Sequence, residues 1–182
     1  DHRDLHSFPT RRSSDLYRFY KDKNDTVNGN FLGIGADWCQ RSILVEECQM
    51  PGLLITNGEF VAGEGGICFF EVGKENTGVV QFNNCSFWGP CGPLAILDGK
   101  GTVSMNQCTF FNHGKPLSAY TIDAKSGDIT ISSCRFGIDR PDIKLGKDVT
   151  TAIIMGNRFV KSKEINNQSK GDVQQGLNVI TK

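Results

Sequence analysis

No apolar run in this chain approaches the ~20 residues that a bilayer-spanning helix needs, and no charged start leads into an apolar stretch as a secretory leader would. No membrane partner is expected. Net charge is also absent, with twenty Lys and Arg set against twenty Asp and Glu, so no overall field draws the protein to nucleic acid. Helical periodicity with caps is missing throughout, which confines helix to a loop turn or a terminal piece. Cysteine is plentiful, at seven residues, yet the count is odd and no CxxC pair occurs, so neither a complete disulfide framework nor a zinc site fits. No metal or cofactor is expected.

What the chain does have is a repeat. LLITNGEF ends on Phe60, VVQFNNCSF on Phe87, TVSMNQCTF on Phe110, DITISSCRF on Phe136 and TAIIMGNRF on Phe159, at intervals of 27, 23, 26 and 23 residues. Seven before each Phe stand Leu53, Val80, Val103, Ile129 and Ala152; five before stand Ile55, Phe82, Met105, Ile131 and Ile154; two before stand Gly58, Cys85, Cys108, Cys134 and Asn157. A unit of this length cannot bury its own apolar face, so the period implies a stack of coils. A further apolar segment precedes each aligned one: ILVE from 43, FFEV from 69, LAIL from 94, AYTI from 119 and IKL from 143. The polar links KENTG, DGKG, AKSGD and GKDVT read as tight turns between the two. With a third short strand centred on the repeated Phe, the arithmetic is that of an all-β, single-stranded parallel β-helix of about five coils of roughly 25 residues, three short strands each. The Phe column becomes an interior stack, and Asn83, Asn84 and Asn106 suit a partial amide ladder at the bend. Cys85, Cys108 and Cys134 then stack ~4.8 Å apart, wider than the ~3.5–4.5 Å between Cβ atoms that a disulfide prefers. Free buried thiols are the better reading.

Residues 1–16, DHRDLHSFPTRRSSDL, share nothing with the repeat. They resemble a translated sequencing adapter and are set aside as a foreign leader, so a secretion signal or earlier coils are expected to have preceded Tyr17 in the parent chain. Residues 17–42 read as a loop and a partial first coil, with Asn28-Gly29 as a turn; 43–160 form the β-helix; 161–182 form a polar tail whose LNVI quartet, 177–180, is a final strand or a cap.

The repeated hydrophobic pattern with its Asn/Cys/Phe bend, over residues 43–160, resembles the right-handed parallel β-helix of the pectate-lyase-like superfamily. That resemblance implies the right-handed coil and a carbohydrate-active protein: a polysaccharide lyase or glycoside hydrolase, extracellular or periplasmic, with polysaccharide as its partner. The alternative is a non-catalytic glycan-binding or structural solenoid, such as an adhesin or a tailspike shaft. Outward positions such as Gln81, Ser104 and Thr130 are polar, which favours a monomer. The superfamily's catalytic signatures are not intact: Asn112-His113-Gly114 lacks the leading Gly, and Asp142-Ile143-Lys144 has Asp in place of Arg.

Candidate site residues follow from chemistry and repeat position. Asp98 and Asp123, each two residues before a lysine, are placed in one column of neighbouring coils, as a glycosidase acid pair or a calcium bridge to an acidic glycan requires; the plain reading is two turn residues. Lys74, Lys100, Lys125 and Lys147 recur once per coil, as a basic stripe for an acidic glycan or simply a soluble turn. Trp88 and Phe111 each follow the repeated Phe and point outward, forming either a platform for sugar rings or a cover over a turn, with Asp37-Trp38 as a second contact. His113 is a possible base or sugar ligand, and otherwise a surface-loop histidine. Glu59, Arg135 and Arg158 share the outward position before each Phe.

Overall fold

The computed structural model describes residues 15–23, 25–63, 68–89, 92–111, 119–137, 140–161 and 163–181. Among them there is no helix, hence none that crosses a membrane. The chain winds through three faces, and on each face a strand pairs in parallel with its equivalents in the coils before and after. Face A stacks β1 (Asp15–Phe19), β4 (Arg41–Val45), β7 (Cys68–Val72), β10 (Ala95–Leu97), the first parts of β13 (Ile122–Ser132) and β15 (Ile143–Met155), and β17 (Ile165–Asn167). Face B stacks β2 (Val27–Leu32), β5 (Cys48–Thr56), β8 (Val79–Asn83), β11 (Thr102–Asn106), the later parts of β13 and β15, and β18 (Asp172–Gly176). Face C stacks β3 (Gly35–Cys39), β6 (Glu59–Ala62), β9 (Ser86–Trp88), β12 (Thr109–Phe111), β14 (Arg135–Gly137), β16 (Arg158–Val160) and β19 (Val179–Thr181). The molecule is a parallel β-helix, as its repeat requires.

Strand alternation sends every second side chain into the shared core. On face C the pairing is Phe60, Phe87, Phe110, Phe136, Phe159 in strict register, all fully buried. Their rings stack at centroid separations of 5.3, 5.4, 4.9 and 4.8 Å, with interplanar angles of 12–22°. Face B contributes Val80, Val103 and Ile129 beside Phe82, Met105 and Ile131; face A contributes Phe70, Ala95 and Ile122. In that last column the large Phe70 is followed by the small Ala95, and the Phe70 ring lies 4.4 Å from Phe82, centroid to centroid.

The bend from face B to face C is made by one left-handed residue per coil: Gly33, Asn57, Asn84, Gln107, Ser133, Gly156 and Leu177, with φ between 51° and 66°. The residue after each bend lies beside the carbonyl two residues before the bend of the preceding coil. Cys108 Sγ lies 3.6 Å from Phe82 O and Cys134 Sγ 3.4 Å from Met105 O. Further along, Asn157 Nδ2 donates to Ile131 O at 2.9 Å and Asn178 Nδ2 to Ile154 O at 3.0 Å. From Cys85 onward the column is therefore one of side-chain donors. Just before the bend Asn106 Nδ2 donates to Asn83 Oδ1, and at the bend Asn84 Nδ2 donates to Asn57 Oδ1, which is the expected partial amide ladder.

Three local expectations need correction. Residues 17–30, expected within a loop and partial first coil, are more than a loop: β1 runs into them from Asp15 and β2 out of them to Leu32, and both complete a coil with β3. Tyr17 and Phe19, Val27 and Phe31 face inward there while the intervening polar residues face out, and that alternation is diluted by the polar link between the strands. Asn28-Gly29 lies inside β2, at a register shift against β5, with the Phe31 ring filling the space beside Gly29. AKSGD and GKDVT are not turns either: they are the middles of β13 and β15, which run through the corner with register shifts. β17, β18 and β19 add another coil after Phe159.

Cys85, Cys108 and Cys134 are free and buried. The neighbouring thiol of Cys134 and burial push Cys108 up to about 12, and the Cys108 thiol together with burial raises Cys85. Alkylation of the native protein by iodoacetamide at mildly alkaline pH, mapped by mass spectrometry, is expected to leave these three unmodified until denaturant is added. Truncating the central ring of the stack, Phe110→Ala, is expected to cost roughly 3–5 kcal/mol in a denaturant titration.

Candidate functional site

Two surface features carry chemistry-bearing side chains. The first is the corner between faces A and B. From the last inward residue of face A to the first of face B, the chain advances eight positions in the coil of Val72 and Val80 but only five in that of Ala124 and Ile129, then seven between Leu145 and Ala152. The corner is recessed where the link is shortest. The result is a groove of about 510 Å³ lined by Lys74, Asp98, Lys100, Ser126, Gly127, Asp148 and Thr150. Gly127, at φ 85°, forms its floor, and a Cβ there would come within 2.4 Å of Gly99 O.

The register separates the two carboxylates that sequence placed in one column. Asp123 pairs with Ile96 on one side and Lys144 on the other, on the outward surface of face A. Asp98 lies two positions further along its coil, at the level of Lys125. The DGK and DAK motifs look equivalent, but the first begins a turn whereas the second lies within β13. Each carboxylate has its own cation: Lys125 Nζ is 3.8 Å from Asp98 Oδ2, and Lys144 Nζ is 3.6 Å from Asp123 Oδ1. The groove instead brings Asp98 together with Asp148, an exposed residue in β15 that no sequence motif singles out. Of the lysine stripe, Lys74 and Lys100 line the groove, Lys125 closes on Asp98, and Lys147 stands outside the lining.

The second feature is the outward surface of face C. Trp88 and Phe111 are paired in register, half-buried, with Val61 before them and Gly137 after. The Phe111 ring lies over Gly137, whose missing side chain makes the space; a Cβ there would sit 2.7 Å from Phe111 Cε1. Trp88 Nε1 donates to Glu59 Oε1 at 3.3 Å, and the Arg135 guanidinium stands 5.3 Å from the centre of the Phe111 ring. The indole is thus tied at its N–H edge, and the Phe111 ring lies under the Arg135 guanidinium. Trp38 lies on the same face at φ 56°, a backbone conformation that costs a bulky residue on the order of 1–3 kcal/mol. His113 lies outside the described residues.

Asp142, of the incomplete Asp-Ile-Lys triplet, is a buried residue at the start of β15. Its Oδ2 accepts from Glu164 N at 2.8 Å and its own N–H donates to Glu164 O at 3.1 Å. The side chain ties one coil to the next, and this sealed position offers no opening to a polymer. Burial, reinforced by the Glu164 charge and opposed by the Glu164 N–H, pushes its carboxyl up to about 7.

Comparison of the chain with protein-family models, with curated proteins and with solved structures gives no match.

Because folded Asp142 keeps its proton to about pH 7 whereas an ordinary aspartate releases it near 3.8, the folded state binds the extra proton. Its contribution to stability therefore falls as pH rises between those values and stays low above them. Asp142→Asn, which preserves the acceptor for Glu164 N, is expected to be more stable than the parent at about pH 8 by roughly 2–4 kcal/mol. At about pH 4 it is expected to show little gain. Thermal melts across that range check it.

Proposed function

We propose that this β-helix is a carbohydrate-active protein, similar to members of the pectate-lyase-like superfamily, that works outside the cytoplasm and binds polysaccharide on the outward surface of face C. The observation that carries the reading is the in-register pair Trp88 and Phe111, held by Glu59 and Arg135. Sugar rings present apolar C–H faces with hydroxyls at their edges, so a rigid aromatic surface flanked by charged hydrogen-bonding groups recognises both parts. A parallel ladder repeats its side chains every ~4.8 Å along the axis, which suits a linear polymer better than a compact ligand.

A second reading, polysaccharide cleavage as a lyase or glycoside hydrolase, draws its support from the corner groove. There Asp98 and Asp148 share a concave site with Lys74 and Lys100. Two carboxyls across one cleft are the equipment of glycosidic hydrolysis, and a lysine beside an acidic sugar can take the proton that a lyase removes. Asp123 lies outside the lining of this groove, on the outward surface of face A.

Affinity electrophoresis through gels containing xylan, hydroxyethylcellulose or polygalacturonate tests the binding reading. Retardation by at least one polymer is expected, reduced about tenfold in apparent affinity by Trp88→Ala or Phe111→Ala. Retardation unaffected by both substitutions counts against face C. Incubation with the same polymers, followed for new reducing ends and for the ultraviolet absorbance of an unsaturated uronate, tests cleavage. If Asp98→Asn and Asp148→Asn leave any such activity intact, the groove reading fails.

A further inference from the structure

Trp38 is the most exposed of the aromatic side chains on face C, at 64% of its surface, and its backbone is in the left-handed region at φ 56°. No packing need explains this position, because the core beneath it is filled by Ala36 and Cys39 on either side. The cause is a bulge. In the pairing of β3 with β6, Ala36 faces Phe60 and Cys39 faces Ala62, so Asp37 and Trp38 together stand opposite the single residue Val61. A bulge re-aims side chains and is placed where an aim is needed. Here it turns the indole outward, against the backbone of Gly63, where a Cβ would come within 2.9 Å of Trp38 Cε3. Any other residue at position 63 would push the ring away.

The outward column of face C consequently reads Trp38, Val61, Trp88, Phe111 over four successive coils. Aromatic rings stand at both ends of this row, with one aliphatic gap between them. Charge along it is graded: Asp37 and Glu59 lie at the Trp38 end, Arg135 and Arg158 at and beyond the Phe111 end, all four exposed. Resting on the polysaccharide reading above, we infer that Trp38 is a second anchoring residue for the glycan. The bound chain then runs parallel to the helix axis across four coils, with the Val61 position bridged by a sugar that makes no aromatic contact. A compact saccharide reaches one anchor only, whereas a linear chain reaches both. The second contact is made at high effective concentration once the first has formed.

The test uses the full chain and oligosaccharides, from disaccharide to hexasaccharide, of whichever polymer retards it, with binding followed by calorimetry and intrinsic tryptophan fluorescence. The hexasaccharide is expected to bind at least tenfold more tightly than the disaccharide. Trp38→Asn, a residue that tolerates the left-handed conformation, is expected to remove most of that advantage, to leave disaccharide affinity unchanged, and to keep or raise the melting temperature. Val61→Trp, which fills the gap, is expected to tighten hexasaccharide binding. Unchanged hexasaccharide affinity in Trp38→Asn overturns the second anchor while leaving Trp88 and Phe111 in place. A lowered melting temperature with unchanged affinity would make Trp38 a cover for Gly63 and nothing more. If no polymer retards the parent protein, the underlying reading fails and the anchor with it.

Discussion

Everything in this molecule depends on the single left-handed residue that turns each coil from face B to face C. It turns the chain within one residue, and so the residue after it points inward, toward a carbonyl of the neighbouring coil. Cys108 and Cys134, then Asn157 and Asn178, fill that position in successive coils. With the bend secured at the same point in each coil, the next inward residue falls at one level every time, and the phenylalanines stack. Move the bend by one residue and the alternation of face C inverts, bringing Trp88 and Phe111 into the core and Phe87 and Phe110 to the surface.

The two surface features have opposite origins. Face C is regular, and its outward row arises because the register is kept from coil to coil, with one bulge to turn Trp38 outward. The corner between faces A and B is irregular, and its groove arises because the links there differ in length. Where the link is shortest, β13 passes through the corner as one strand, and residues of the neighbouring links line the groove beside it. Repetition thus makes a regular row of side chains, while variation in a connecting link makes a pocket. The chemistry of each follows: aromatics with flanking charges on the regular face, mixed carboxylates and ammonium groups in the recess.

The same contrast explains why some buried polar groups are tolerated. Asp142 lies at the third corner, where one coil hands over to the next, and its carboxyl is held by the backbone of Glu164 rather than by a cation. A carboxyl in that setting favours its neutral form. The Cys85 and Cys108 thiols at the bend are in a comparable state, raised by a neighbouring thiol and by burial, and act as small weak donors rather than nucleophiles.

Sequence alone determined the parallel β-helix, its phenylalanine stack, the free thiol column and the outward pairing of Trp88 with Phe111. All four follow from identical spacing measured back from one repeated residue, so no three-dimensional information is needed to place them. Sequence also supplied the residue types of the corner site without their partners. The length and path of the corner links decide which side chains meet there, and these change from coil to coil: Asp98 lies in a turn, whereas Asp123 lies in a strand. Only the tertiary structure could separate that pair, bring Asp148 to Asp98, and place the bulge that exposes Trp38, because each depends on hydrogen-bond register between strands more than twenty residues apart.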